Sequence, residues 1–184
     1  MVQQDSRKQI VKETYPAELV SIVGDLLAGV ILTLIILPFE SFTILILIVP
    51  ALLSLRGNLS GPFIARSSRD LIIGEFDKKS WIESVLATYS LGLLTATLIG
   101  ILSILLNFLL FGEILLNLLV MILIPILTMV FTLSISIPTS TVLNLIAFRR
   151  GIDPNNVVNP IMTAVDDFFT VASFYFTLIL LGVP

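Results

Sequence analysis

Long apolar blocks separated by short polar segments set the pattern of this chain. A helix needs about 20 apolar residues to cross a bilayer, and on that rule Leu19 to Leu37 forms a first span, closed by Pro38-Phe39-Glu40. Phe42 to Leu55 begins a second, whose apolar run is short, so Arg56-Gly57-Asn58 or their neighbours must complete the crossing. Val85 to Leu110 is a third, ended by Gly112 and Glu113, and Pro160 to Val183 is the last. The stretch Ile114 to Phe148 is long for one helix and short for a hairpin of two. Charge decides it. With five spans and a cytoplasmic N-terminus, the inner segments hold Arg7, Lys8, Lys12, Arg56, Arg66, Arg69, Lys78, Lys79, Arg149 and Arg150, all ten basic residues, while the outer loops hold Glu40 and Glu113. Splitting the long stretch would move Arg149 and Arg150 outside, against the positive-inside tendency.

Between the second and third spans, Ser60 to Ser80 is polar, with Pro62, Phe63, Ile64, Leu71, Ile72, Ile73 and Trp81 interspersed among or following its bases. An amphipathic segment lying at the inner headgroup boundary is expected there, with Trp81 in the aromatic belt. The fourth span carries Pro125 and Pro138, the second crowded by Ser134, Ser136, Thr139, Ser140 and Thr141. A kink whose freed carbonyls are satisfied by hydroxyls fits this, as does a broken helix that lends carbonyls to an ion.

Composition agrees with the spans. Of 184 residues 57% are hydrophobic and 12% charged, against about 25% charged in soluble domains. The chain is therefore expected to be an all-α, multi-pass protein of the cell membrane, with residues 1–18 a short cytoplasmic segment and 19–184 one five-helix domain. The polar start Met1 to Lys12 lacks the apolar core and cleavage site of a signal peptide, so the first span is expected to remain in the mature protein. The formal charge of -3 says little about partners, since most charge is confined to loops; the bilayer is the expected surrounding, with no nucleic-acid partner.

Cysteine and histidine are absent, which excludes disulfides, haem ligation by those residues and the usual soft or borderline metal sites. Any metal must be a hard, oxygen-liganded ion. No Ser-His-Asp or Cys-His triad can be assembled, and the chain is not expected to be an enzyme.

Two adjacent carboxylates, Asp166 and Asp167, lie inside the last apolar block. An ionised Asp at the centre of a span costs roughly 2.5 to 3.5 kcal/mol even on the lower scales. Compensation could come from a base, a water-filled cavity or a bound cation, and the flanking residues 160–165 and 168–171 contain no base. The plainer alternative is an interfacial pair reaching water from a helix end. Asp25 lies in the first span, either near enough to the inner surface to meet water or buried against a polar neighbour.

Two stretches are specific enough to compare with known families. The first is Val49-Pro50-Ala51-Leu52-Leu53-Ser54-Leu55-Arg56-Gly57-Asn58. The second is Ile137-Pro138, then Gly151-Ile152-Asp153-Pro154-Asn155-Asn156-Val157, then Pro160-Ile161, with Asp167 seven residues after that proline. Together they resemble the membrane domain of the MgtE magnesium channels and, more closely in the Pro50 to Asn58 run, the solute carrier family 41 transporters. The resemblance covers nearly the whole chain. It implies a five-helix bundle working as a homodimer, with a divalent-cation pathway at the interface lined largely by the second and fifth helices. It also implies that Asp167 is the pore ligand, that Asp153 is the aspartate before the cytoplasmic mouth, and that Gly57 and Asn58 are the family's glycine-asparagine pair. Asp166 stands where the family often has a small residue, so its place in the metal site is open. MgtE channels carry large cytosolic sensing domains before the membrane part, and gating by such a sensor is not expected from the short start seen here. Eukaryotic solute carrier family 41 proteins hold two copies of the unit in one chain; a homodimer would restore that arrangement.

Chemistry supports the same ion class. Mg2+ demands octahedral oxygen coordination and gives up water reluctantly, and Asp167, the backbone near Thr163, and Asn58 offer oxygens of that kind. The expected cargo is a divalent cation, magnesium foremost. Mn2+ or a Na+-coupled divalent-cation exchange suits the same ligands, and a membrane scaffold subunit without transport is the alternative from another class. Asp153 followed by Pro154 is also a good helix start, with the carboxylate as N-cap, so capping and ion attraction both remain open for it. Asn159-Pro160 repeats that signal, predicting a short helix and then the span.

Overall fold

A backbone amide in hydrocarbon has no water to bond, so a chain this apolar must satisfy its own peptide groups, which helices do within one segment. The computed structural model describes residues 7–35, 44–112, 114 and 116–183, and over them it is helical with no strand. The helices are α1 (Arg7–Leu34), α2 (Ile44–Ile73), α3 (Lys78–Phe111), α4 (Leu118–Arg149) and α5 (Pro154–Leu180). Each is long and apolar enough to cross a membrane. With 27 residues in the shortest and 34 in the longest, they extend roughly 40 to 51 Å at 1.5 Å per residue, against a hydrocarbon core of about 30 Å. The excess length carries their polar ends into the headgroups and beyond. The protein is a multi-pass integral membrane protein of five spans.

The ends of the helices depart from the apolar blocks. Residues 60–73, expected to lie along the inner headgroups, instead continue α2 through Pro62 to Ile73. Leu59, Phe63, Ile64, Ser67, Ser68 and Leu71 recur on one side of that extension and are buried, so its apolar residues face the bundle and not the membrane surface. Arg56, counted above with the inner-side bases, is thereby placed in the middle of a span. α5 likewise runs unbroken from Pro154 through Pro160, with no separate short helix before it. Pro160 lies inside the helix, past its first turn, and withholds one backbone hydrogen bond without ending it. The ambiguous fourth block is one helix, with Pro125 and Pro138 both inside it. Around Pro138, Ser134 donates to the Val130 carbonyl, Thr139 to Ile135 and Thr141 to Ile137. Pro38, Phe39, Glu40 and Glu113, expected in outer loops, lie outside the described residues.

Local signals set the other boundaries. Asp77 caps α3 by accepting from the Ser80 amide at 2.6 Å, and Gly112 ends it in the left-handed conformation with φ 71°. Asn117 caps α4 through the Leu119 amide at 2.8 Å. Trp81 turns its indole inward, donating to Thr141 at 3.0 Å across the α3–α4 contact.

α4 packs on α2, α3 and α5, α2 packs on α3 and α5 as well, and α1 lies along α5. Close approach depends on small residues, since lipid gives apolar side chains no preference for one another. A Cβ placed on Gly24 would stand 2.5 Å from the Ala164 Cβ, and one on Gly100 would stand 2.8 Å from the Ile122 Cα. Leu45, Ile48, Leu52, Met121, Ile124, Met129, Leu133, Phe174 and Leu178 fill the interior. Leu86, Leu94, Leu98, Leu105 and Leu109 of α3, and Val23, Leu26 and Val30 of α1, are exposed, as residues that meet lipid would be.

Candidate functional site

α5 carries a polar stripe along most of its length. At about 100° per residue, Asn156, Asn159, Thr163, the Asp166-Asp167 pair, Thr170, Ser173 and Thr177 fall within little more than one third of its circumference. Asp166, Thr170, Ser173 and Thr177 are buried. They meet a second polar row on α4, where Thr128, Thr132, Ser136, Ser140 and Asn144 recur at every fourth position and are all buried. The hydroxyls of Thr128 and Thr177 stand 3.5 Å apart, and Ser68 of α2 donates to Asn144 at 3.1 Å. Inside a bilayer such hydroxyls bond back to their own helix, as Thr128 does to the Ile124 carbonyl at 2.7 Å and Thr132 to Thr128 at 2.8 Å.

The charged centre of this polar interior is built by α2 and α5. Arg56 is buried, and one end of its guanidinium donates to the Asp167 carboxylate. The other end stands 3.8 Å from Asp166 Oδ2. Consecutive residues on a helix point about 100° apart, so the two carboxylates face different surroundings. Asp166 points into the bundle with 1% of its side chain exposed, and Asp167 toward its edge with 22% exposed. Ser136 of α4 and Ser60 of α2 set their hydroxyls beside Asp166. Asp25, exposed on α1, sets its carboxyl beside that of Asp167. Two carboxyl groups at that range repel unless a proton or a cation lies between them. Among the described residues, Arg56 Nε, Asp166 Oδ2 and Thr170 Oγ1 are buried at this centre with no hydrogen-bond partner.

The residues singled out in the sequence divide into two groups. Asp166 and Asp167 join Arg56 and Asp25 in one cluster at mid-bundle. Thr163 lies one turn before Asp167 on the same stripe, its hydroxyl bonded to the Asn159 carbonyl at 3.0 Å. Gly57 and Asn58 follow Arg56 on α2 and are exposed; no hydrogen bond joins Asn58 to the aspartates among the described residues. Asp153 is the N-cap of α5, accepting from the Asn155 amide at 2.9 Å and the Asn155 side chain at 3.0 Å. Fourteen residues of helix put it about 20 Å along the axis from Asp167. Asn156 near the same end donates to Glu13 of α1 at 3.0 Å.

Arg56 is the participant that the apolar pattern does not reveal. Its signal in the sequence is an arginine that no loop can accommodate once α2 continues past it. Among the described residues of one chain, no three or more acidic side chains are arranged to hold a metal ion.

A family model described as MgtE, divalent cation transporter, matches residues 49–177, from the second helix to the end of the polar stripe on the fifth. A search of curated proteins found no match to this chain.

Proposed function

Because the chain belongs to the MgtE family of divalent cation transporters, we propose that its cargo is Mg2+ and that the ion passes beside Asp167 and Asp25 at the two-fold interface of a homodimer. The observation that carries this reading is the position of those two carboxyls. They meet one another at mid-span on the flank of the α1–α5 pair, and both are open to the surface of the bundle. Lipid cannot solvate that surface. A second copy of the chain, with water and a cation between, can.

The donor chemistry fits the ion. Carboxylate oxygens at Asp167 and Asp25, supplemented by the hydroxyl of Thr163 and by Asn58, are the hard ligands that Mg2+ accepts while keeping part of its water shell. One protomer offers too few of them to enclose a dication. A two-fold axis doubles each carboxylate and faces it with its own copy. Attraction by fixed anionic groups in a low-dielectric setting concentrates dications at the constriction, and the retained waters let the ion leave again.

The test is flux into proteoliposomes for Mg2+, Mn2+ and other divalent cations, with and without a sodium gradient. Mg2+ uptake by the wild-type protein and its loss in Asp167→Asn, with unchanged yield and elution in detergent, are expected. Undiminished uptake by Asp167→Asn would remove Asp167 from the path. Uptake that requires the sodium gradient would make the protein an exchanger.

A further inference from the structure

Arg56 engages the wrong carboxylate for a purely structural ion pair. A buried guanidinium is stabilised when all its donors and the facing oxygens are paired, because desolvation is costly and only complete hydrogen bonding offsets it. Asp166, with 1% of its side chain exposed, is the carboxylate that most needs such a partner. Yet Arg56 donates to the more open Asp167, while Asp166 Oδ2, in a longer ion pair with it, and its own Nε make no hydrogen bond among the described residues. The unused oxygen stands 3.8 Å from the guanidinium, so a displacement of roughly 0.9 Å would bring it to the usual hydrogen-bonding distance of about 2.9 Å. The guanidinium is thus bracketed by two carboxylates, one facing the proposed path and one facing the interior.

We infer that Arg56 is a tethered counter-cation: it occupies Asp167 when no dication is bound, and it withdraws onto Asp166 when a dication arrives. The inference rests on the reading of Asp167 as the path-facing ligand. A dication at Asp167 would lie within a few ångströms of the guanidinium, and two positive centres that close repel strongly where the dielectric is low. Withdrawal relieves that repulsion without leaving either charge unpaired. Asp166 is then the resting partner of Arg56 and not a ligand of the ion. This accounts for an aspartate at a position pointing away from the path, and for the hydroxyls of Ser60 and Ser136 that solvate it there. The device also keeps the empty path from holding bare, mutually repelling carboxylates.

The roles predict opposite effects from neighbouring substitutions. Arg56→Gln removes the competitor, so the half-saturating Mg2+ concentration for flux should fall, by about fivefold or more if the competition is worth even the low end of couplings between sites. Asp166→Asn removes the resting place and holds the guanidinium on Asp167, so the half-saturating concentration should rise. In the double variant Arg56→Gln with Asp166→Asn the second change should have no further effect, because no guanidinium remains to be held. Arg56→Lys, which keeps the charge but not the fork that reaches both carboxylates, should leave the half-saturating concentration above that of Arg56→Gln. Protection of the detergent-solubilised protein by Mg2+ alone, read as a shift in unfolding temperature, should follow the same order. The double variant removes the buried charge at Asp166 together with the guanidinium and leaves only the partly exposed Asp167 without its counter-cation, so it decides the matter if Arg56→Gln alone is unstable. Weakened Mg2+ response in Arg56→Gln or the double variant would overturn the proposal, as would an Asp166→Asn defect that persists without Arg56, which would make Asp166 a direct ligand. None of these results depends on whether Asp167→Asn abolishes flux, so the assignment of the path fails or stands separately.

Discussion

A carboxylate in the middle of a membrane bundle is costly enough that its surroundings identify its work. Asp166 and Asp167 stand out in the sequence for that reason alone, two acids in an apolar block with no base beside them. Their counter-charge does not stand out, because Arg56 is 111 positions away and pairing at that distance is a consequence of how α2 and α5 pack. Asp25 is legible only as an oddity: its neighbour across the α1–α5 contact is what gives it a reading. These contacts set an order among the acidic residues. Asp25→Asn should reduce Mg2+ flux if the ion takes the proposed path, because it removes one of the two carboxyls beside it. Asp153, which spends its side chain on the first turn of α5, should behave as a cap. Replacing it with Asn, also a good N-cap, should leave both flux and stability near wild type, whereas Asp153→Ala should cost about 1 kcal/mol of stability. Flux assays and thermal unfolding of the three variants check this; a flux defect in Asp153→Asn would show that its charge attracts the ion.

Whole helices follow from the sequence more readily than their ends do. The number of spans rests on length and apolarity, which the bilayer imposes on any crossing segment. Their ends rest on what the polar extensions touch. Residues 60–73 carry enough charge to end an apolar block, but their buried face packs into the bundle, so α2 continues, and Arg56 moves from a loop to the helix centre. The α1–α5 contact is likewise set by an approach that only glycine allows at position 24. Gly24→Val would force the two helices apart, and since Asp25 follows directly, it would draw that carboxyl away from Asp167. Overpacking of this kind costs about 1 to 3 kcal/mol, so Gly24→Val should lower the unfolding temperature in detergent and cut flux. Gly29→Ala meets nothing within 4 Å and serves as the control; equal behaviour of the two would show that the seam does not position the site.

At the scale of the molecule, the proposal that a dimer doubles the carboxylates on this flank makes a quantitative demand. If each path is lined by Asp167 from two protomers, a single substituted copy disables the whole unit. If each protomer conducts alone, a substituted copy disables only itself. Wild-type and Asp167→Asn chains, mixed before reconstitution under conditions that let subunits exchange, separate the two cases. Random pairing in equal amounts leaves about a quarter of dimers fully wild type, so flux should fall to that fraction for a shared path, and to about half for independent ones. Varying the ratio extends the comparison, since a shared path follows the square of the wild-type fraction and an independent one follows it linearly. The chain has no native cysteine, so a single cysteine placed on the exposed face of α3, well away from Asp167, can carry a fluorophore in each variant and report subunit exchange directly. Linear dependence with exchange complete would place the path within a single protomer, where the buried polar rows of α4 and α5 offer it a course.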